Sequence, residues 1–144
     1  MTASLLLLVR ARARVCALPL SSVVETFRPL DLRPVSDLPI PAFVLGVAVI
    51  RGEPVPVVDL GALLGLAEPA SPKRWLTLRL GGRFVALAVE DVLRVVPAER
   101  LDRKPLPPLL SGAKAVDALG TLDGEFLSVL ETGRLVPDET WSAL

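Results

Sequence analysis

The chain has 144 residues, of which 51% are hydrophobic, and its 16 Lys and Arg balance its 16 Asp and Glu to a formal net charge of zero. It contains no His and a single Cys, Cys16. These counts exclude a His general base, Ser-His-Asp and Cys-His catalytic groups, an intrachain disulfide and a Cys-rich zinc site. The charge balance argues against a nucleic-acid-binding protein, which would carry a net basic surface. We therefore expect no metal and no cofactor, and we interpret Cys16 as a buried thiol.

The length suits one domain over residues 1–144. No apolar run approaches the roughly 18–20 residues needed to span a bilayer, so we expect no direct membrane insertion. The apolar run Leu5–Val9 precedes the nearest arginines, whereas a signal peptide has its positive charges first. The sequence therefore predicts a cytoplasmic protein.

Four segments have the alternation and the central turn of β-hairpins. The first, Leu7–Leu18, alternates with a period of two, which would place its arginines on one solvated face of a strand or hairpin. The other three enclose short turn sequences that are typical of hairpins. The arginines of the first segment are Arg10, Arg12 and Arg14, and the other hairpins are Val44–Leu60 around Arg51-Gly52, Arg74–Val89 around Gly81-Gly82, and Val116–Leu130 around Asp123-Gly124.

Helical signals are few and short. Ser21-Ser22 predicts a cap for one helical turn over Val23–Thr26, and a matching turn is predicted over Glu90–Val95. Asp59 is predicted to be the N-cap of a brief helix that ends near Gly65. A similar closing turn is predicted over Thr132–Val136, before Pro137. The chain is therefore predicted to be all-β, with many short strands and short helical turns.

The hairpins repeat in the same order along the chain. When the chain is aligned with itself, one constant shift in residue number aligns Arg10 with Arg79 and Ala17 with Ala86, and we call this shift the first offset. A slightly larger one, the second offset, aligns the 52–63 and 124–135 segments. An internal duplication explains this order, and chance similarity in an Ala-, Val- and Leu-rich chain is the alternative. Each half would bury too little surface alone, so we expect the halves to pack together and leave a groove between them.

The run GVAVIRGEPVPVVDLGALLGL at 46–66 resembles the signature of CheW-like domains. In that family, Gly-Val-Ile-Asn-Leu-Arg-Gly leads into Pro-Val-Val-Asp-Leu and a short Leu-Gly helix. Residues 20–46, 74–96 and 118–136 resemble other family segments in the same order. The chain departs from the family pattern at Val49, where Asn is usual, at Ala86, where Gly is common, and at Glu90, where Asp is expected.

The resemblance implies two five-stranded Src-homology-3-like β-barrels packed side by side. The first would span about 15–66 with part of a terminal strand, and the second about 73–136. It also implies a non-enzymatic adaptor that couples the cytoplasmic tips of chemoreceptors to the regulatory domain of a CheA-type histidine kinase. A receptor helix would lie in the groove, with charges fixing its register. The partner-binding residues carried over by position are Val23, Glu25, Gly46, Arg51, Gly52, Ala86 and Val95.

Two other functions stay open from the sequence. One is a diverged CheW-like interaction subunit that serves a different signalling complex without coupling to a kinase. The other is a small carboxylate-dependent β-barrel hydrolase, for which Glu25 and Asp59 are the best pair of acids. The sequence also allows Arg51 to be either a partner contact or one member of an internal ion pair.

Overall fold

A computed structural model describes residues 4–34, 41–105, 116–132 and 135–136. These residues form 3₁₀ turns at Leu20–Ser22 and Ala98–Arg100, and one short helix, α1, at Leu60–Leu63. In these ranges no helix has the length and apolar character required to cross a membrane. The strands are β1 (Leu5–Ala11), β2 (Arg14–Pro19), β3 (Val23–Phe27), β4 (Val44–Ile50), β5 (Glu53–Asp59), β6 (Arg74–Leu80), β7 (Arg83–Val89), β8 (Asp91–Pro97), β9 (Asp102–Pro105), β10 (Val116–Leu122) and β11 (Glu125–Leu130).

The strands form two sheets. One has six strands in the order β8-β1-β2-β11-β10-β9, and the other has five in the order β3-β6-β7-β5-β4. The four predicted hairpins are present as β1–β2, β4–β5, β6–β7 and β10–β11. The all-β, two-lobed prediction is confirmed, although the first sheet has one strand more than the five predicted.

Both sheets contain the same parallel pairing, which supports the internal duplication. Val57 of β5 pairs with Ala86 of β7, and Val129 of β11 pairs with Ala17 of β2. The first and second offsets convert one pair into the other. Each half places its first hairpin in the opposite sheet, so β1–β2 joins β8–β11 and β6–β7 joins β3–β5. The expected ranges of about 15–66 and 73–136 therefore differ from the sheets, because that hairpin exchange leaves no local sequence signal.

Two of the predicted helical turns are strands. The segment over Val23–Thr26 belongs to β3, which pairs with β6, and the segment over Glu90–Val95 lies largely in β8, which pairs with β1. β-branched residues fit a pleated surface, and cross-strand pairing determines the outcome here. The brief helix capped by Asp59 is confirmed, since the Asp59 carboxylate accepts a hydrogen bond from the Gly61 N–H at 3.1 Å. The closing turn over 132–136 lies partly outside the described residues.

Apolar side chains form one core inside each lobe and a third core between the lobes. On β1, Leu6 and Leu8 pack in the core of the six-stranded sheet, whereas Leu7 and Val9 pack in the shared core. On β7, Ala86 lies in the core of the five-stranded sheet, while its neighbours on either side lie in the shared core. Strands covered on both faces read as continuous apolar runs, which explains the Leu-rich start of the chain.

Candidate partner-binding surface

The hairpin β4–β5 carries Arg51 to a glutamate on β3. Its turn residues Arg51 and Gly52 have φ values of 54° and 80°, the positive values that a type I′ hairpin turn requires. Arg51 Nε donates to Glu25 Oε1 at 2.9 Å, and Arg51 Nη2 donates to Glu25 Oε2 at 2.9 Å. The two parallel bonds orient the guanidinium in a fixed plane.

The Arg51–Glu25 pair lies on the surface. The Arg51 side chain is 76% exposed and that of Glu25 is 31% exposed. Hydrogen bonding from Arg51 lowers the pKa of Glu25 below its ordinary value, and the bonds to Glu25 raise the pKa of Arg51. Both groups are therefore charged at neutral pH. Exposed ion pairs contribute little to folding. Arg51 is paired within the chain and, because its side chain is exposed, it is still accessible to a partner.

The pair also joins the two edges of its sheet. β3 is the first strand in the sheet order and β4 the last, yet the β4–β5 turn reaches Glu25. In the six-stranded sheet, Arg94 of β8 lies 3.6 Å from Asp123 in the β10–β11 turn. By the first offset Arg94 is the equivalent of Glu25, and by the second offset Asp123 is the equivalent of Arg51. Each lobe is thus tied at the same place by an ion pair, with the charges reversed.

Two of the seven predicted partner-binding residues are buried. Ala86 is 0% exposed in the middle of the five-stranded sheet, beside Trp75. Gly46 is buried on β4 with a φ of 153°, and a Cβ there would lie 2.5 Å from the carbonyl oxygen of Arg33. That close approach allows the backbone of Arg33 to bond to Val47 at 2.8 and 2.9 Å. Neither residue is exposed, so a direct contact by either of them stays a prediction that their burial does not favour.

The remaining predicted residues differ in exposure. Val23 is half-buried against the shared core, and Gly52 is exposed in the turn. Val95 is about half exposed but lies on β8, in the other sheet from Arg51. Two further valines, Val24 and Val49, are also about half exposed. Val24 is adjacent to Glu25, and Val49 lies two residues before Arg51, so we define the Arg51 surface as Val24, Glu25, Val49, Arg51 and Gly52.

A second arginine cluster is buried and was not predicted. Arg12, in the β1–β2 turn with a φ of 55°, has a side chain that is 4% exposed. Its Nη2 donates to Asp59 Oδ2 at 2.7 Å and its Nη1 donates to Asp59 Oδ1 at 3.0 Å. Nη1 also donates to Glu90 Oε1 at 3.1 Å, and Nε donates to the Glu68 carbonyl at 3.0 Å. The bond to Asp59 raises the pKa of Arg12. We call Arg12, Asp59 and Glu90 the Arg12 cluster.

The Arg12 cluster corrects the prediction of a solvated arginine face. Arg10 and Arg14 are exposed, but Arg12 lies in the tight turn and points between the lobes. One signal in the sequence marked it: the equivalent position in the other half is Gly81, whose φ is 64°. Positive φ costs energy for a residue other than glycine. An arginine at the turn position where the other half has glycine therefore indicates that its side-chain bonds stabilise this backbone conformation.

The side chains that could serve in catalysis are either bonded to arginines or buried. Glu25 is held by Arg51 and Asp59 by Arg12, so the pair required for the hydrolase alternative is divided between two arginines. Cys16 is buried, and burial raises the pKa of its thiol to about 12. Within the described ranges, no three His, Cys, Asp or Glu side chains are grouped so as to hold a metal ion.

A family model for the CheW-like domain matches residues 5–140. This chain belongs to the CheW-like domain family. It is 32% identical over 103 residues to a protein of Rhizobium meliloti named Chemotaxis protein CheW, an alignment that covers 69% of this chain and 66% of that protein. It is 34% identical over 105 residues to Protein FrzA of Myxococcus xanthus, covering 70% of this chain and 62% of the relative.

The fold of this CheW-like chain also matches a solved structure. The scaffolding protein TtCheW from Thermoanaerobacter tengcongensis superposes with a TM-score of 0.81 at 19% identity, and the match covers 96% of each chain. At 19% identity this likeness shows only that the two chains share a fold. The chain spans about two thirds of the length of the two curated relatives that it matches.

Proposed function

We propose that this CheW-like chain is a non-enzymatic adaptor that couples the cytoplasmic tip of a chemoreceptor to the regulatory domain of a CheA-type histidine kinase. The family membership and the relative named as a chemotaxis protein support this function. The observation that carries it is the Arg51 surface, an oriented and accessible ion pair with half-exposed valines within two residues of it in the chain.

The chemistry of the Arg51 surface suits a helix of a partner protein. An arginine has five N–H donors, and Glu25 uses two of them, so three stay available to a partner from an already oriented guanidinium. Val24 and Val49 offer apolar area for one face of an amphipathic helix. We expect apolar contact to supply most of the affinity and the charges to set register and partner choice.

The non-catalytic part of the proposal is supported by how the acids are used. Asp59 is buried and accepts bonds from Arg12 and from the Gly61 N–H, so both of its carboxylate oxygens are used in structural hydrogen bonds. Glu25 has both carboxylate oxygens on Arg51. A general acid or base transfers a proton at a carboxylate oxygen, and in both residues each oxygen already accepts a hydrogen bond from an arginine.

Reversal of the charge at position 51 tests the receptor contact. Arg51→Glu should weaken binding to a cytoplasmic receptor fragment by about tenfold or more, because it replaces a charge-assisted contact with repulsion. The melting temperature should change by only a few degrees, since the pair is exposed. Surface plasmon resonance and thermal melting measure the two effects. A collapse of the melting temperature would show instead that Arg51 is purely structural.

Two further variants sharpen this test. Asp123→Arg reverses the equivalent turn charge in the other lobe and should leave receptor binding unchanged. The double variant Glu25→Arg/Arg51→Glu rebuilds the ion pair with opposite polarity, so it should keep the fold and still fail to bind the receptor fragment. Full recovery of binding in the double variant would contradict a direct contact. If the wild-type chain binds neither the receptor fragment nor the kinase domain at tens of micromolar, the adaptor proposal fails.

A diverged interaction subunit without kinase coupling is the second candidate. Val49 favours it, because an apolar, half-exposed side chain stands on the Arg51 surface where family members usually have Asn. Binding of a receptor fragment without binding of the kinase regulatory domain would select this candidate over the first.

A further inference from the structure

A polar cavity of about 630 Å³ opens where the two sheets meet, away from the Arg51 surface. It is lined by the end of β1, the chain just after β3, the start of β6 and the β7–β8 connection. Five of its nine lining residues are basic and two are acidic, in a chain whose net charge is zero. The basic residues are Arg10, Arg12, Arg28, Lys73 and Arg74.

Only part of this positive charge is neutralised. Arg12 is held inside its cluster, and Arg10 lies 3.8 Å from Asp91. Arg28, Lys73 and Arg74 have no ion pair or side-chain hydrogen bond with any residue in the described part of the chain. Three cations, one just after β3 and two where β6 begins, therefore line the same cavity without an ion pair to any of the described residues.

The duplication supplies an internal comparison for this cavity. A second cavity, of about 500 Å³, is lined in part by the equivalent residues of the other half. By the first offset, Lys73 corresponds to Ser4 and Arg74 to Leu5, and both Ser4 and Leu5 line that second cavity. The same backbone thus forms a cavity without these cations. The fold does not require Lys73 and Arg74, so their charge calls for an explanation of its own.

We propose that the basic cavity binds a compact polyphosphate, either inorganic polyphosphate or the phosphate chain of a nucleotide. Successive phosphates place several negative charges within a few ångströms, which allows one ligand to contact several of the cations that line the cavity, whereas a single carboxylate brings one charge. Arginine matches phosphate geometry with two parallel donors, and lysine binds it as a point charge. The cavity volume is in the range of small-molecule sites, roughly 300–1,000 Å³. This site is independent of the proposed receptor contact.

Calorimetric titration with sodium tripolyphosphate at low ionic strength tests the site. The wild-type chain should bind one equivalent, and Lys73→Gln/Arg74→Gln should weaken binding by about tenfold or more through loss of two charge-assisted contacts. The matched control, Arg103→Gln/Lys104→Gln, removes the same charge near the second cavity and should change affinity by less than about twofold. Absence of wild-type binding, or equal losses in both variants, would overturn the proposal.

A comparison of ligands separates the sources of the phosphate. ATP that binds as tightly as tripolyphosphate, with AMP much weaker, supports recognition of the phosphate chain alone. ATP that binds about tenfold more tightly than tripolyphosphate supports a nucleotide as the ligand. A glutamate-rich peptide that binds more tightly than either, that competes with tripolyphosphate, and that loses affinity in Lys73→Gln/Arg74→Gln would show that the cavity receives an acidic protein segment and would refute the proposal.

Discussion

Arg12 and Arg51 occupy the same backbone conformation in two different hairpin turns. Their φ values are 55° and 54°, and each guanidinium makes two bonds to one carboxylate. Their surroundings are opposite, since the Arg12 side chain is 4% exposed and that of Arg51 is 76% exposed. The same pairing chemistry therefore has a structural use at one turn and stays accessible to a partner at the other.

The difference teaches that the position of an ion pair in the fold decides its role. The Arg12 cluster links the β1–β2 turn of one sheet to Asp59 at the end of β5 in the other, so it holds the two lobes together. The Arg51 pair joins two edges of one sheet at the surface. Removal of one partner of a buried pair leaves the other charge desolvated and without a counterion. At a surface pair, water hydrates the charge that is left.

The largest expected effect is the loss of Arg12. Arg12→Ala leaves Asp59 buried without a counterion, which should lower the free energy of unfolding by about 3–5 kcal/mol. Urea denaturation followed by circular dichroism measures this change. Arg14→Ala, two residues away and exposed, is the control and should change stability by less than about 0.5 kcal/mol. A loss for Arg12→Ala as small as that of the control would abolish the distinction between the two arginines.

An intermediate effect is expected at Gly61. A Cβ on this residue would lie 2.6 Å from Arg12 Cζ and Nη1, a guanidinium that Asp59 and Glu90 hold in place. Gly61→Ala should therefore destabilise the chain by about 1–2 kcal/mol, although alanine is favoured over glycine in a helix.

The background Arg12→Ala reverses this expectation and provides the control. Without the guanidinium, Gly61→Ala should be neutral or stabilising by up to about 1 kcal/mol. A double-mutant cycle in urea measures the coupling. Equal effects of Gly61→Ala in the two backgrounds would show that the guanidinium does not occupy the space beside Gly61.

The smallest expected effect is the titration of Glu25. Hydrogen bonding from Arg51 lowers the pKa of Glu25 below 4.5, so the contribution of the pair to stability is present above about pH 4.5 and is lost as the pH falls through the lowered value. Carbon-detected NMR titration of the carboxylate should give a midpoint below 4.5. Arg51→Gln should return the midpoint towards 4.5, and Arg94→Gln, in the other lobe, should leave it unchanged. An unaltered midpoint in Arg51→Gln would show that the pair does not persist in solution.

The sequence predicted the local features of the fold well. The four hairpins and the Asp59 cap are each signalled by residues close together in the chain, such as Asp123-Gly124 at a turn, and the repeat is signalled by the constant offsets between the two halves. Glu25 and Arg51 were predicted from the family resemblance, and the structure brings them together. Gly46 and Ala86 were assigned to the same surface but lie inside, because a family signature marks positions that matter without indicating whether they face a partner or the core.

The sequence by itself determined the four hairpins, their turns and the Asp59 cap, because alternation, glycine at positive φ and capping act over a few residues. Only the tertiary structure decided that each half lends its first hairpin to the other sheet, and it thereby placed Arg12 inside and Arg51 outside. Burial and electrostatic pairing depend on which distant segments meet. Asp59 illustrates both levels. Its role as a helix cap was predicted from the sequence, whereas its bond to Arg12, 47 residues away, is seen only in the folded structure.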